Sequence, residues 1–177
     1  MGILKRIGII AFLSLFIINS VEAKSSSMHV RSLPLSVNDL AADAVMIFKG
    51  KVLNTKEYKD ETINLNVREI KFKVQDGIRG VDEGTITLKE WASFLTPFSN
   101  GDIEAGKPYV FFFNKISKLG LTTLLGVEQG YVELNGNKTK FHTHKEVLSD
   151  TRLIKLAITE TPDSYSSLKS LCLKEGN

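Results

Sequence analysis

The sequence predicts a mainly β protein: five or six antiparallel strands curled into a small barrel, with a short helix before them and helices after. Three observations predict it. Apolar and polar residues alternate through Asn64–Gln75 and Thr85–Trp91, the period of a half-buried strand. Turn-forming residues separate these runs, most strongly Asn135-Gly136. Helical spacing of apolar residues is confined to the ends: Val37, Leu40, Ala41 and Ala44 near the start, then Leu153, Leu156 and Ala157, and finally Leu168, Leu171 and Cys172.

Residues 1–23 read as a signal peptide. Lys5 and Arg6 give a positive start, Ile7 to Ile18 is apolar, and Val21-Glu22-Ala23 offers small residues for cleavage. A membrane helix needs about 20 apolar residues, so this run is too short to span. No cysteine follows it to carry a lipid. The expectation is export to the periplasm or medium, with no membrane span in the mature chain. Residues 24–35 are polar and Ser-rich at their start and read as a flexible arm; residues 36–177 read as one domain.

The chain has 23 Lys+Arg against 20 Asp+Glu, a net charge of +3. The charges are interspersed with no basic stripe, so nucleic acid is not an expected partner. The single cysteine, Cys172, cannot form an internal disulfide, and core burial alone must hold the fold. A disulfide-free chain rich in Lys, Asn and Ile suits a bacterial envelope protein. Asn137-Lys138-Thr139 fits the glycosylation tripeptide, which matters only on a eukaryotic secretory route.

Each element follows in order. Ser36 caps a helix with Asp39 three residues on. Val45 to Leu53 is a buried strand, and the charged stretch Asn54–Asn64 reads as a solvated hairpin loop. In Asn64–Gln75, Leu65 and Val67 share one parity whereas Ile70, Phe72 and Val74 share the other. That phase change predicts a β-bulge at Arg68-Glu69, and bulges bend strands so that small barrels close. Asp76–Gly80 reads as a turn, Thr85–Trp91 as a strand, and "KPYVFFFN" (Lys107–Asn114) as an aromatic strand. A turn around Lys118-Leu119-Gly120 precedes "LLGVEQGYVEL" (Leu124–Leu134), a strand interrupted in its middle. Lys138–Thr143 returns from the Asn135-Gly136 hairpin, and Asp163 caps the last helix.

Three features bear on chemistry. In "GVEQG", either Gly126 and Gly130 let a bent strand pass close to a neighbour, or Glu128 and Gln129 supply an acid and an amide to a site. In His142-Thr143-His144, both imidazoles point the same way on a strand; a metal would need a third ligand, with Glu133 conceivable and His29 far away in the arm. In "WASFLTPFSNGD" (Trp91–Asp102), Trp91, Phe94, Leu95 and Phe98 crowd one loop. They either plug a barrel mouth or face a partner, and the two roles can coexist. Cys172 falls on an inward helix face, a structural thiol. No G-x-S-x-G elbow and no phosphate-loop spacing is present.

The order of landmarks resembles uncharacterised secreted bacterial proteins. "DLAADAVMIFKGKV" (Asp39–Val52) resembles their helix, Ala-Asp step and Gly-x-Val strand; "FKVQDGIRG" (Phe72–Gly80) is similar to a later step, with Arg79 where Lys is usual. "IEAGKPYVFFF" (Ile103–Phe113) and "LLGVEQGYVEL", through Gly126, Gln129 and Gly130, resemble two further strands. The layout also resembles netrin-like modules of tissue inhibitors of metalloproteinases, which implies an OB-type barrel. Those inhibitors chelate the protease zinc through a mature N-terminal cysteine. This chain would begin at Lys24 and has no cysteine before Cys172, so that mechanism does not carry over.

The resulting expectation is a non-catalytic exported module that binds or modulates another envelope or extracellular protein, with proteases among the candidates. Its binding residues would be Trp91, Phe94, Phe98, Glu128 and Gln129, with no catalytic residue, metal or cofactor. The alternative is a small-molecule binder or metal-assisted enzyme using Glu128, Gln129, His142 and His144.

Overall fold

The computed structural model describes residues 35–141 and 161–175. The expected signal peptide, nearly all of the expected arm, the His142/His144 pair, His29 and the Leu153–Ala157 segment lie outside the described residues. The described chain runs α1 (Val37–Asp43), β1 (Met46–Asp60), β2 (Leu65–Arg79), β3 (Gly84–Trp91), β4 (Pro108–Phe113), β5 (Tyr131–Asn135), β6 (Lys138–Phe141) and α2 (Tyr165–Lys174). The six strands form one antiparallel sheet in the order β3-β2-β1-β4-β5-β6. The protein is mainly β.

α1 starts where expected. The Ser36 hydroxyl accepts from Asp39 N at 3.1 Å, and the Asp39 carboxylate accepts from Ser36 N at 2.9 Å. These hydrogen bonds hold the Asp39 carboxyl below its usual value. A helix of 7 residues is marginal alone; Val37, Leu40 and Ala41 stabilise it by burial.

β1 and β2 are each 15 residues long, which corrects two expectations. Asn54–Asn64 is not a hairpin loop, because β1 continues to Asp60 and only Glu61–Asn64 turns. Its charges pair across the ladder instead: Lys56 with Glu69 at 2.9 Å and Glu57 with Arg68 at 2.7 Å. Asp76–Gly80 is not a turn either, since β2 runs through Arg79. The bulge expected at Arg68-Glu69 is absent, and Glu57↔Arg68 and Lys56↔Glu69 pair in unbroken register. The register slips elsewhere, leaving Leu53 of β1 and Gln75 and Ile78 of β2 without an opposite residue. The apparent phase change has another cause: Arg68 itself occupies the inward parity of Ile70, Phe72 and Val74 as a buried charge.

Two cores flank the sheet. On the inner side Phe48, Phe72, Phe111 and Phe113 pack with Leu88, Tyr109 and Tyr131. The Phe72 and Phe111 rings lie 5.1 Å apart although β1 runs between their strands. On the outer side α1 and α2 cover Ile47, Val110, Phe112, Val132 and Leu134. β4 is therefore buried on both faces, which explains its unbroken "PYVFFF". Each buried Phe contributes about 1.5–3 kcal/mol relative to exposure.

β2 docks both helices. The Arg79 guanidinium donates to Ala41 O at 2.6 Å, Ala44 O at 3.1 Å and Cys172 O at 2.5 Å. The Asp76 carboxylate accepts from Tyr165 OH and Lys169 Nζ, both at 2.6 Å. Ser164, one residue after the expected Asp163, caps α2 by accepting from Ser167 N at 3.3 Å. Cys172 is buried on the inward face, and burial pushes its thiol up to about 11. At the far edge, Thr122 N donates to Lys89 O of β3 at 2.8 Å, and Leu124 bridges Phe113 of β4.

Candidate functional site

The loop between β3 and β4 is built on a buried charge. Register pairs Arg68 of β2 with Glu57 of β1 on one side and Glu90 of β3 on the other, all on the inner face. Arg68 is 4% and Glu90 1% exposed. The Arg68 guanidinium donates to Glu90, to Glu57 Oε1 at 2.8 Å, and to Thr96 Oγ1 at 3.3 Å. It also donates to Ala92 O at 3.1 Å and, at 3.5 Å, to Phe94 O. Thr96 closes the network by donating to Glu90 Oε1 at 2.7 Å. Burial pushes the Glu90 carboxyl up against the opposing pull of Thr96 and Arg68. A planar guanidinium with fixed donors suits this work, because it meets carboxylates and carbonyls at once. The loop backbone is thereby fixed from beneath.

The loop then divides its aromatics. Phe98 turns in: its ring lies 5.8 Å from Phe72 and stacks at 6.4 Å on Phe113. Thr96, Pro97 and Ile103 are buried beside it, so this half plugs the inner core. Trp91, Phe94 and Leu95 stay 38%, 36% and 43% exposed. Trp91 and Phe94 meet edge to face at 4.9 Å, which orients both rings. Trp91 is opposite Val67 and Val67 opposite Tyr58, so the buried Val67 is flanked by two aromatics on the outer face.

The "LLGVEQGYVEL" stretch is not one strand. Leu124 pairs with Phe113 and Tyr131 with Phe111, so Leu125–Gly130 loops out opposite Phe112 alone. Phe112 O accepts from Leu125 N at 2.8 Å, and Phe112 N donates to Gly130 O at 2.9 Å. A Cβ on Gly130 would sit 2.5 Å from Leu125 O, which demands glycine. Val127, a β-branched residue, holds a left-handed φ of 58°. The Gln129 side-chain oxygen accepts from Leu35 N at 2.6 Å, tying the loop to the entrance of α1. Glu128 lies on the same loop, between β4 and β5, whereas Phe94 and Leu95 lie on the loop between β3 and β4.

Sequence reasoning singled out Trp91, Phe94 and Phe98 and passed over Arg68 and Glu90, although Arg68 donates to the Ala92 and Phe94 carbonyls of their loop. The signal was present: a charge at inward parity in each of two paired strands. No group of three His, Cys, Asp or Glu placed to hold a metal occurs among the described residues. Among them, no helix is long and apolar enough to cross a membrane. No protein-family model matches the chain, and no curated protein matches it.

Proposed function

We propose that this chain is an exported, non-catalytic binding module that docks another envelope or extracellular protein through Trp91, Phe94 and Leu95. One observation carries the reading: three exposed apolar side chains stand on a backbone whose Ala92 and Phe94 carbonyls accept from a buried guanidinium. Rigid aromatic anchors lose little entropy on binding, and such residues dominate interface energies, often by about 2 kcal/mol or more each. Phe98 supports the patch from the core rather than touching the partner. Gln129 serves the fold through Leu35, and Glu128 has its place in the same loop. Export rests on the Lys5-Arg6, apolar and small-residue pattern of the first 23 residues.

The architecture proposed with it is an OB-like barrel in the netrin-like layout. β1 pairs with β2 on one side and β4 on the other, rings from β1, β2 and β4 meet on the inner side, and the Thr122–Lys89 hydrogen bond reaches from the segment before β5 to the edge strand β3. Affinity capture from the native envelope with the mature chain tests the function, repeated with Trp91→Ala/Phe94→Ala. The expected result is a protein recovered by the natural chain and lost by the variant. Equal recovery by both removes the patch from the function.

A further inference from the structure

The patch is one end of a longer surface. From Val67↔Trp91 to Val74↔Gly84 the β2–β3 register is unbroken, so Trp91, Lys89, Thr87 and Thr85 share the outer face with Val67, Glu69, Lys71 and Lys73. β1 adds Tyr58, Lys56, Asn54 and Lys51 to the same face. The helices cover the outer face over β4, β5 and the start of β1, whereas Asn54, Lys56, Lys71, Lys73, Thr85 and Thr87 are exposed.

Charge along the strip is uneven. In its middle row Lys56 pairs with Glu69 and Lys89 with Asp60, each at 2.9 Å. At the far end Lys51 and Lys73 stand directly opposite each other, with Lys71 next along β2. Among the described residues, none of these three has an acid within ion-pair distance. Like charges directly opposed across a ladder are destabilising, so the fold gains nothing from this arrangement and an anionic occupant would relieve it. The interspersed charges of the sequence are gathered here by register.

Six residues of β2 separate Val67 from Lys73, about 20 Å at roughly 3.3 Å per residue. That distance selects the occupant. A bilayer receiving the aromatic end edge-on would leave the lysines farther from its surface than a Debye length of about 8 Å. Laid flat, it would meet Glu69 and Asp60. Asn54, Thr85 and Thr87 offer no ring on which a nucleobase could stack at the basic end. An extended peptide fits, because its alternate side chains repeat at the spacing of Lys71 and Lys73.

We infer that the partner presents an acidic extended segment to Lys51, Lys71 and Lys73, with an apolar anchor about six residues away on Trp91, Phe94 and Leu95. This rests on the patch being a docking surface. Trp91 is the only tryptophan, so its fluorescence reports binding of a synthetic peptide carrying a Phe-Leu anchor followed, six residues on, by alternating glutamates. A sibling peptide carries glutamines instead; heparin and phosphatidylglycerol vesicles are the other probes. The expected result is tighter binding of the acidic peptide, weakening as salt rises, and a loss of about tenfold in Lys71→Glu/Lys73→Glu with the glutamine peptide unaffected. Equal binding of both peptides, or no binding of the acidic one, overturns the inference. So does binding of heparin or vesicles that the charge reversal abolishes while the acidic peptide stays unaffected. If Phe94→Ala/Leu95→Ala, which keeps the Trp91 reporter, removes binding of both peptides and the charge reversal changes nothing, the acidic partner fails while the aromatic docking surface stands.

Discussion

Arg68 and Arg79 sit near opposite ends of one strand and do similar work in different settings. Each donates to carbonyls of another segment: Arg79 to α1 and α2, Arg68 to the β3–β4 loop. Arg68 is also enclosed with Glu90 and paired with Glu57, whereas among the described residues Arg79 meets carbonyls. The difference teaches what each end is for. Carbonyls suffice to seat helices that already bury Leu40, Leu168 and Cys172. A loop that leaves Trp91, Phe94 and Leu95 in water has less apolar burial to hold it, and a charge network takes over that role.

The largest expected effect breaks the Arg68 end. Arg68→Met strands the Glu90 carboxylate and costs about 3–5 kcal/mol in urea unfolding, whereas Arg68→Met/Glu90→Leu recovers most of it, since a buried pair is worth little against apolar packing. A double variant as unstable as the single one would show that the pair itself carries the fold. Arg79→Ala is expected to cost less, about 1.5–3 kcal/mol from charge-assisted hydrogen bonds. Its signature is distinct: Cys172 is the only thiol, and its alkylation should accelerate as α2 loosens.

Acid sharpens the Arg79 end. Burial raises the Asp76 carboxyl, but Lys169 and Tyr165 outweigh that and hold it below its usual value of 3.8. A depressed carboxylate stabilises the fold above its unfolded value, and that contribution fades as pH falls through the folded one. Protection of α2 amides should therefore decline below about pH 4 in the natural chain. In Asp76→Asn that step should be missing; its persistence would assign the transition elsewhere. The smallest effect is at the surface. Trp91→Ala and Phe94→Ala should each change stability by no more than about 0.5–1 kcal/mol while removing partner binding.

Much of the fold was legible because it follows local rules. The capping box at Ser36-Asp39, the alternation of β3, the aromatic β4 and the Asn135-Gly136 turn all obey short-range chemistry. Expectations failed where partners come from distant sequence. Lys56 and Glu57 look solvated until Glu69 and Arg68 return beside them as strand partners. Arg68 looks like a break in alternation until Glu90 and Thr96 close over it. Gln129 shows no tie to the start of the domain in the sequence until Leu35 N is found donating to its side-chain oxygen. The aromatics of the β3–β4 loop stand out in the sequence, and the polar residues beneath that loop do not, because a buried charge is recognised only with its partner.

Amide hydrogen exchange in the β3–β4 loop tests the central claim most directly. Phe94 N donates to Trp91 O at 3.1 Å and Thr96 N to Ser99 Oγ at 2.9 Å, so both amides report whether the loop keeps its shape. In Arg68→Met/Glu90→Leu both should lose protection while the amides of β1 and β4 keep theirs. Unchanged protection at Phe94 and Thr96 would mean that something other than Arg68 holds the patch, and would contradict the account.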